Sequence, residues 1–168
     1  MSTEDQRTWQ GPSAPERLAI LRRTRSVAIV GASANPARAS YFVATYLLSS
    51  SPYEVYVVNP RAEEILGLPA YDSLADLPVV PDLVDVFRKD ADLPGVAQEA
   101  ADVGASALWL QLGSWNEEAA AIAEGAGLDV VMDRCLKIEH ARFHGGLHLA
   151  GFNTGEISSR KQRVSGRG

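Results

Sequence analysis

The chain has 168 residues and a net charge of −5, a length that suits one domain around one well-covered core and leaves no room for a second catalytic domain. The acidic balance, with an isoelectric point near 5.2, argues against a protein that holds nucleic acid or an anionic membrane over a broad basic surface, although a few arginines and a helix N-terminus still suffice for a small anion. One cysteine excludes an internal disulfide, and the absence of a signal-like leader or an apolar run of about eighteen residues leads to the expectation of a soluble cytoplasmic protein.

Residues 1–12 are polar and without periodicity, so a flexible leader is expected there, with Trp9 as the one side chain able to dock on the body. From Ser13 the pattern changes. Ser13 and Glu16 are spaced as a capping box, Pro15 falls in the first turn, and Leu18, Ile20 and Leu21 supply an apolar face, which together predict a short helix. The run SVAIVG, 26–31, reads as a buried strand that stops at Gly31. Tyr41, Phe42, Thr45, Tyr46 and Leu48 follow with helical spacing, and Ser50, Ser51 and Pro52 end that helix. EVYVVNP, 54–60, is a second strand rich in β-branched and aromatic residues. Strand, helix and strand in this short compass make a βαβ unit with parallel strands and a right-handed crossover.

The stretch RAEEILGLPAYDSLADLP is less regular and reads as a short helical turn, a break at Gly67 and Pro69, and a second brief element before Pro78. Strands are then expected over 82–88, 106–113 and 128–133, separated by helices that end near Gly104 and begin after Asn116. Strands and helices in strict alternation, the strands almost continuously apolar, predict a single Rossmann-like doubly wound parallel sheet of about five strands with helices on both faces over 13–150. A basic tail, 151–168, carries Arg160, Lys161, Arg163 and Arg167 and is expected to be disordered.

In such sheets ligands bind beyond the carboxyl ends of the strands, where the strand order reverses. The turn after the first strand, GASANPARAS, is a strand-to-helix turn of the phosphate-binding kind, because the first N–H groups of a helix lack intrahelical acceptors and carry the positive end of its dipole. It departs from the dinucleotide fingerprint: Ser33 stands at the second glycine position and Pro36 at the third. At the end of the second strand, where an acidic residue would bind a ribose of NAD, the chain has Asn59. Both departures favour a more heavily phosphorylated ligand, NADP or coenzyme A, over NAD. An ordinary ligand-free β–α turn is the alternative for this stretch alone.

GAS followed by NPxRxSY, then VYxVNP, VDVFR, LWLQLG and VMDRCxKIEH, in that order and spacing, resembles the small bacterial CoA-binding proteins, which are similar to the CoA-binding domain of succinyl-CoA synthetase α-subunits. The resemblance spans about residues 15–142 and implies a Rossmann-like fold with coenzyme A, or an acyl-CoA, lying across the strand ends. Carried over position by position, it implies that Gly31, Ala32 and Ser33 present N–H and hydroxyl groups to the diphosphate and that Arg38 and Ser40 add contacts to phosphate. It further implies that Asn59 and Pro60 flank the adenosine, that Phe87 and Arg88 line the groove, and that Gln111, Leu112 and Gly113 lie along the pantetheine path.

Cys135, near Asp133, Arg134 and Lys137, sits where a lowered thiol pKa and a mixed disulfide with the CoA thiol are conceivable, and Lys137 joins it among the candidate ligand-binding residues; the plain alternative for the cysteine is packing. His140, His144 and His148 are spaced by four, but Gly145 and Gly146 interrupt the run and no metal is expected. Trp109 reads as core and Trp115 as surface. Glu117 and Glu118 fit a helix first turn. No Ser-His-Asp order, nucleophile elbow or Walker A lysine is present. The leading expectation is therefore a non-catalytic CoA sensor or carrier module, with a homodimer as its expected assembly. The alternatives are an NADP-linked oxidoreductase, an acyl-CoA ligase subunit that needs a partner, and a partner-binding switch governed by CoA occupancy.

Overall fold

The computed structural model describes residues 7–149, the side chains of 144–149 excepted. Helix α1 (Ala14–Arg23) opens on the expected capping box: the Glu16 N–H donates to Ser13 Oγ at 3.3 Å and the Ser13 N–H donates to Glu16 Oε1 at 3.1 Å. There follow β1 (Ser26–Val30), α2 (Ala39–Ser50), β2 (Glu54–Val58), β3 (Glu64–Ile65), β4 (Leu68–Tyr71), β5 (Leu83–Val86), α3 (Leu93–Val103), β6 (Ala107–Leu110), α4 (Glu117–Gly125), β7 (Asp129–Val131) and α5 (Leu136–Leu149). The sheet runs β3-β4-β2-β1-β5-β6-β7, and every pairing is parallel except β3 with β4.

The five expected strands are β2, β1, β5, β6 and β7, side by side in a doubly wound parallel sheet with helices on both faces. Two further strands extend one edge. The short helical turn expected before Gly67 is instead a β3–β4 hairpin whose turn residues, Leu66 and Gly67, have φ of +54° and +78°. A two-residue turn with both φ positive matches the twist of a hairpin. Here β4 takes the backbone hydrogen bonds that the edge of β2 offers, and Ile65 is buried, whereas a helix so short has little to hold it. The second brief element is a 3-10 turn at Leu74–Asp76.

Side chains alternate between two cores. Ala28, Val30, Val84, Val86, Leu108 and Leu110 pack beneath α3 and α4. Val27, Ile29, Leu83, Ala107 and Trp109 face α1, α2 and α5. Each fully buried leucine contributes about 1.5–3 kcal/mol. By the same alternation Asp85 lies in the second core, in register with Ile29 on one side and Trp109 on the other. It is fully buried, and neither carboxylate oxygen has a hydrogen-bond partner among the described residues. Desolvation therefore pushes its carboxyl well above the usual 3.8.

β1 is the centre of the fold. Its end is in register with both neighbours, Val30 with Val58 and Val30 with Val86, so the strand order reverses where Gly31 begins. Gly31 has φ +84°, and a Cβ on it would lie 2.3 Å from the Phe87 carbonyl oxygen. Only glycine permits that approach.

Two outcomes are expected. Gly31→Ala combines a left-handed backbone with a backbone clash and should cost about 3 kcal/mol or more in urea unfolding; a loss below about 1 kcal/mol would mean that β1 and β5 do not meet this closely. Asp85 is raised above its unfolded value, so the wild type loses stability as pH rises past 3.8. Asp85→Asn should thus gain thermal stability over the wild type between pH 4 and pH 7, and a pH-independent difference in Tm would contradict a buried ionisable acid.

Candidate functional site: a groove across the strand ends

The turn that leaves β1 is fixed by backbone bonds to both neighbouring strands. The N–H groups of Gly31 and Ala32 both donate to the Val58 carbonyl, at 3.1 and 3.3 Å, and the Phe87 N–H donates to Val30 at 2.8 Å. Asn59 locks the other side: its Nδ2 donates to the Ala32 carbonyl at 2.8 Å, and its Oδ1 accepts the Arg61 N–H at 2.8 Å. The expectation that Gly31 and Ala32 present N–H groups to a ligand is therefore corrected, since the sheet uses both. Asn59 likewise spends its amide on the turn.

The loop beyond is also self-supporting. Ser33 Oγ accepts the Asn35 N–H at 3.0 Å and Asn35 Oδ1 accepts the Ala37 N–H at 3.0 Å. The N–H groups that find no acceptor among the described residues are those of Ser33 and Ala34 in the loop and of Ala39 and Ser40 in the first turn of α2. The Ser33 hydroxyl, its oxygen already accepting, keeps its proton to donate.

Of these residues, Ser33 and Ser40 border a hollow of about 800 Å³, within the usual range for a small-molecule site. Gly31, Ala32, Ser33, Arg38 and Ser40 form one side, and Asn59, Pro60, Phe87 and Arg88 are on its lining too. Lys89, with Phe87 and Arg88 a candidate at the end of its strand, also lines it, and so does Arg61, which was not among the candidates and whose readable signal was a cation placed directly after the strand-end motif VNP. Arg88 is held by Asp92, with Nη2 at 3.0 Å and Nε at 3.3 Å. Arg38, Arg61 and Lys89 have no acidic partner among the described residues. The hollow is thus cationic in an acidic protein.

A second hollow of about 670 Å³ shares Arg88 and Lys89 with the first, so the two adjoin at these side chains. Gly113, Ser114 and Trp115, from the loop after β6, line it. Gly113 donates its N–H to Asp133 Oδ1 at 2.7 Å. The other candidates stand apart from both hollows. Gln111 points into the sheet and is 8% exposed, Leu112 faces solvent at 62%, and Cys135 is half-buried against the second core. The Lys137 ammonium lies 3.5 Å from the Phe42 ring centroid. His140 is buried, with Nδ1 2.9 Å from the Tyr46 hydroxyl; the side chains of His144 and His148 lie outside the described ones, as does the basic tail. Trp109 is fully buried, and its indole N–H donates to the Arg134 carbonyl at 2.8 Å.

The leader, expected to be mobile, is docked over its described part. The Glu117 carboxylate accepts the Thr8 hydroxyl at 2.6 Å, the Trp115 indole N–H at 3.1 Å, and the backbone N–H groups of Thr8 and Trp9, each at 3.0 Å. Trp9 meets Trp115 edge-on, with centroids 5.4 Å apart, and its indole N–H donates to Glu124. The hydrogen bonds from Thr8 and Trp115 hold the Glu117 carboxyl down at about 2.

Residues 25–141 match the model of the CoA binding domain family. The chain belongs to that family. It is 40% identical over 132 residues to the uncharacterized protein YneT of Bacillus subtilis (strain 168), across 79% of this chain and 97% of YneT. A solved hypothetical protein from Pyrococcus horikoshii OT3 is 39% identical with a TM-score of 0.75, covering 79% of this chain and 92% of that one. The dinucleotide-forming acetyl-coenzyme A synthetase 1 of Ca. Korarchaeum cryptofilum shares the fold at 24% identity and a TM-score of 0.62, over 69% of this chain and 28% of the synthetase. The CoA binding domain match begins at residue 25, after the docked segment that carries Arg7, Thr8 and Trp9.

The seat of that segment has a defined pH dependence. A carboxyl with its folded pKa near 2, against an ordinary value of 4.5, stabilises the docked state fully above about pH 4.5 and loses that contribution as pH falls toward 2. The Trp9 indole NMR signal should stay constant from pH 7 to pH 5 and shift below pH 4, and Glu117→Gln should give the displaced signal at every pH. A wild-type signal that titrates near neutrality would contradict this seat.

Proposed function

We propose that the chain binds coenzyme A or an acyl-CoA in this groove as a non-catalytic binding module. The observation that carries the reading is the cluster of unpaired N–H groups at Ser33, Ala34, Ala39 and Ser40, set beside Arg38 at the point of strand reversal in a CoA binding domain. These donors suit a diphosphate, since charge-assisted hydrogen bonds from fixed N–H groups need no reorganisation when the anion arrives. Arg61 stands beside the Asn59 position and suits the phosphorylated ribose, which an acidic residue there would repel. Arg88 and Lys89, shared by both hollows, give the pantetheine arm a path toward Gly113. Cys135 and His140 line neither hollow. A sensor or carrier role is the reading that the CoA binding domain match and the cationic groove support.

Thermal shift and titration calorimetry test the reading. Coenzyme A at a hundred times its Kd should add about 2.7 kcal/mol to stability, while NADPH at the same concentration should leave Tm unmoved. Arg38→Ala should weaken coenzyme A by about 1.5–3 kcal/mol without altering the Tm of the free protein. A Tm raised by NADPH but not by coenzyme A would replace this reading with the NADP-linked one.

A further inference from the structure

The second hollow has a wall that the family domain does not supply. Arg7, which precedes the matched residues 25–141, lines it together with Lys89, Leu93, Ser114, Trp115 and Glu117. Its guanidinium carbon lies 4.0 Å from the centroid of the Trp115 ring, and its Nη1 donates to Asp133 Oδ2 at 3.1 Å. Asp133 is itself fixed by the Gly113 N–H. The bonds of Thr8 and Trp9 to Glu117 hold the backbone next to Arg7. Arg7 is thereby an oriented, partly exposed guanidinium, stacked on an aromatic face and one-sidedly paired, with planar donors left over.

Two carboxylates, Asp90 and Glu117, line this hollow and already accept hydrogen bonds. Glu117 is saturated by the N-terminal segment and the Trp115 indole, and Asp90 takes the Asn116 amide. Lys89 adds a second cation, with no acidic partner among the described residues. A planar fork over the Trp115 indole, flanked by the Lys89 ammonium, suits a short hydrocarbon chain that ends in a carboxylate.

We infer that this hollow receives the acyl end of an acyl-CoA and that Arg7 selects acyl groups bearing a terminal carboxylate. The inference rests on the CoA reading above and adds a substrate class to it. Arg7 is the specificity-determining residue, contacting the ligand beyond the thioester and leaving the diphosphate contacts untouched.

Matched thioesters test it by titration calorimetry: malonyl-CoA against propionyl-CoA and glutaryl-CoA against valeryl-CoA, with free coenzyme A alongside. The carboxylated member of at least one pair should bind about ten-fold tighter or better. Arg7→Gln should reduce that preference to less than about two-fold and leave the affinity for free coenzyme A unchanged. Equal binding within both pairs, or a preference that survives Arg7→Gln, overturns this inference while the CoA reading stands. Failure of free coenzyme A and of all four thioesters to bind overturns both.

Discussion

The close passage of β1 and β5 at Gly31 is the constraint on which the rest depends. Because a side chain at that position would run into the Phe87 carbonyl, β1 can end level with β2 and β5, and the turn can leave from the centre of the sheet. The Val58 carbonyl then takes the first two N–H groups of the turn, and the Asn59 amide takes the Ala32 carbonyl. What remains unpaired is a short set of donors one step further along the chain, of which Ser33 and Ser40 line a hollow whose other lining comes from the ends of β2 and β5. A rigid backbone frame therefore supplies the electrostatics, and only Arg38, Arg61 and Lys89 contribute mobile charge.

That frame stands over two cores of unequal polarity. The α3 and α4 side is apolar throughout its buried cluster. The other side buries Asp85 without a partner and Glu139 with several: Glu139 accepts from Arg17 at 3.1 Å and Arg134 at 3.3 Å, with Arg142 at 3.7 Å. The Arg17 pair ties α1 to α5 across the second core, and breaking one member of such a buried pair is more costly than the pair is worth, because the remaining charge stays desolvated. The ion pairs thus hold α1 and α5 on the second core, while Arg38, Arg61 and Lys89 of the groove have no acidic partner among the described residues.

Much of this was legible in the residues. The capping box at Ser13, the β1 stop at Gly31, the cap at Asn116 and the alternation of strands with helices each follow from local chemistry that the tertiary structure keeps. The hairpin at 64–71 was not legible, because β3 and β4 are short and exist by pairing with the edge of β2, a partner that sequence pattern does not reveal. The site divides the same way. Strand-end motifs placed Ser33, Arg38, Ser40, Phe87 and Arg88 on one groove, yet which N–H groups are free depends on the backbone carbonyl of Val58, whose use as an acceptor the VYxVNP motif does not reveal. Gln111, Leu112, Cys135 and Lys137 were near the right strand ends, but the alternation of the strand and the start of α5 turn them away. The docking of Arg7 and Trp9 rests on Glu117 and Trp115, more than a hundred residues along the chain.

The central claim is that the anion-binding donors begin at Ser33 and not at Gly31. Titrating isotope-labelled protein with coenzyme A and following its backbone amide signals tests this most directly. The account predicts large shifts and slowed exchange at Ser33, Ala34, Ala39 and Ser40, with Gly31 and Ala32 protected before and after ligand addition. Saturable binding with those four amides unmoved, or with the response centred on α5 around Cys135 and Lys137, would contradict it.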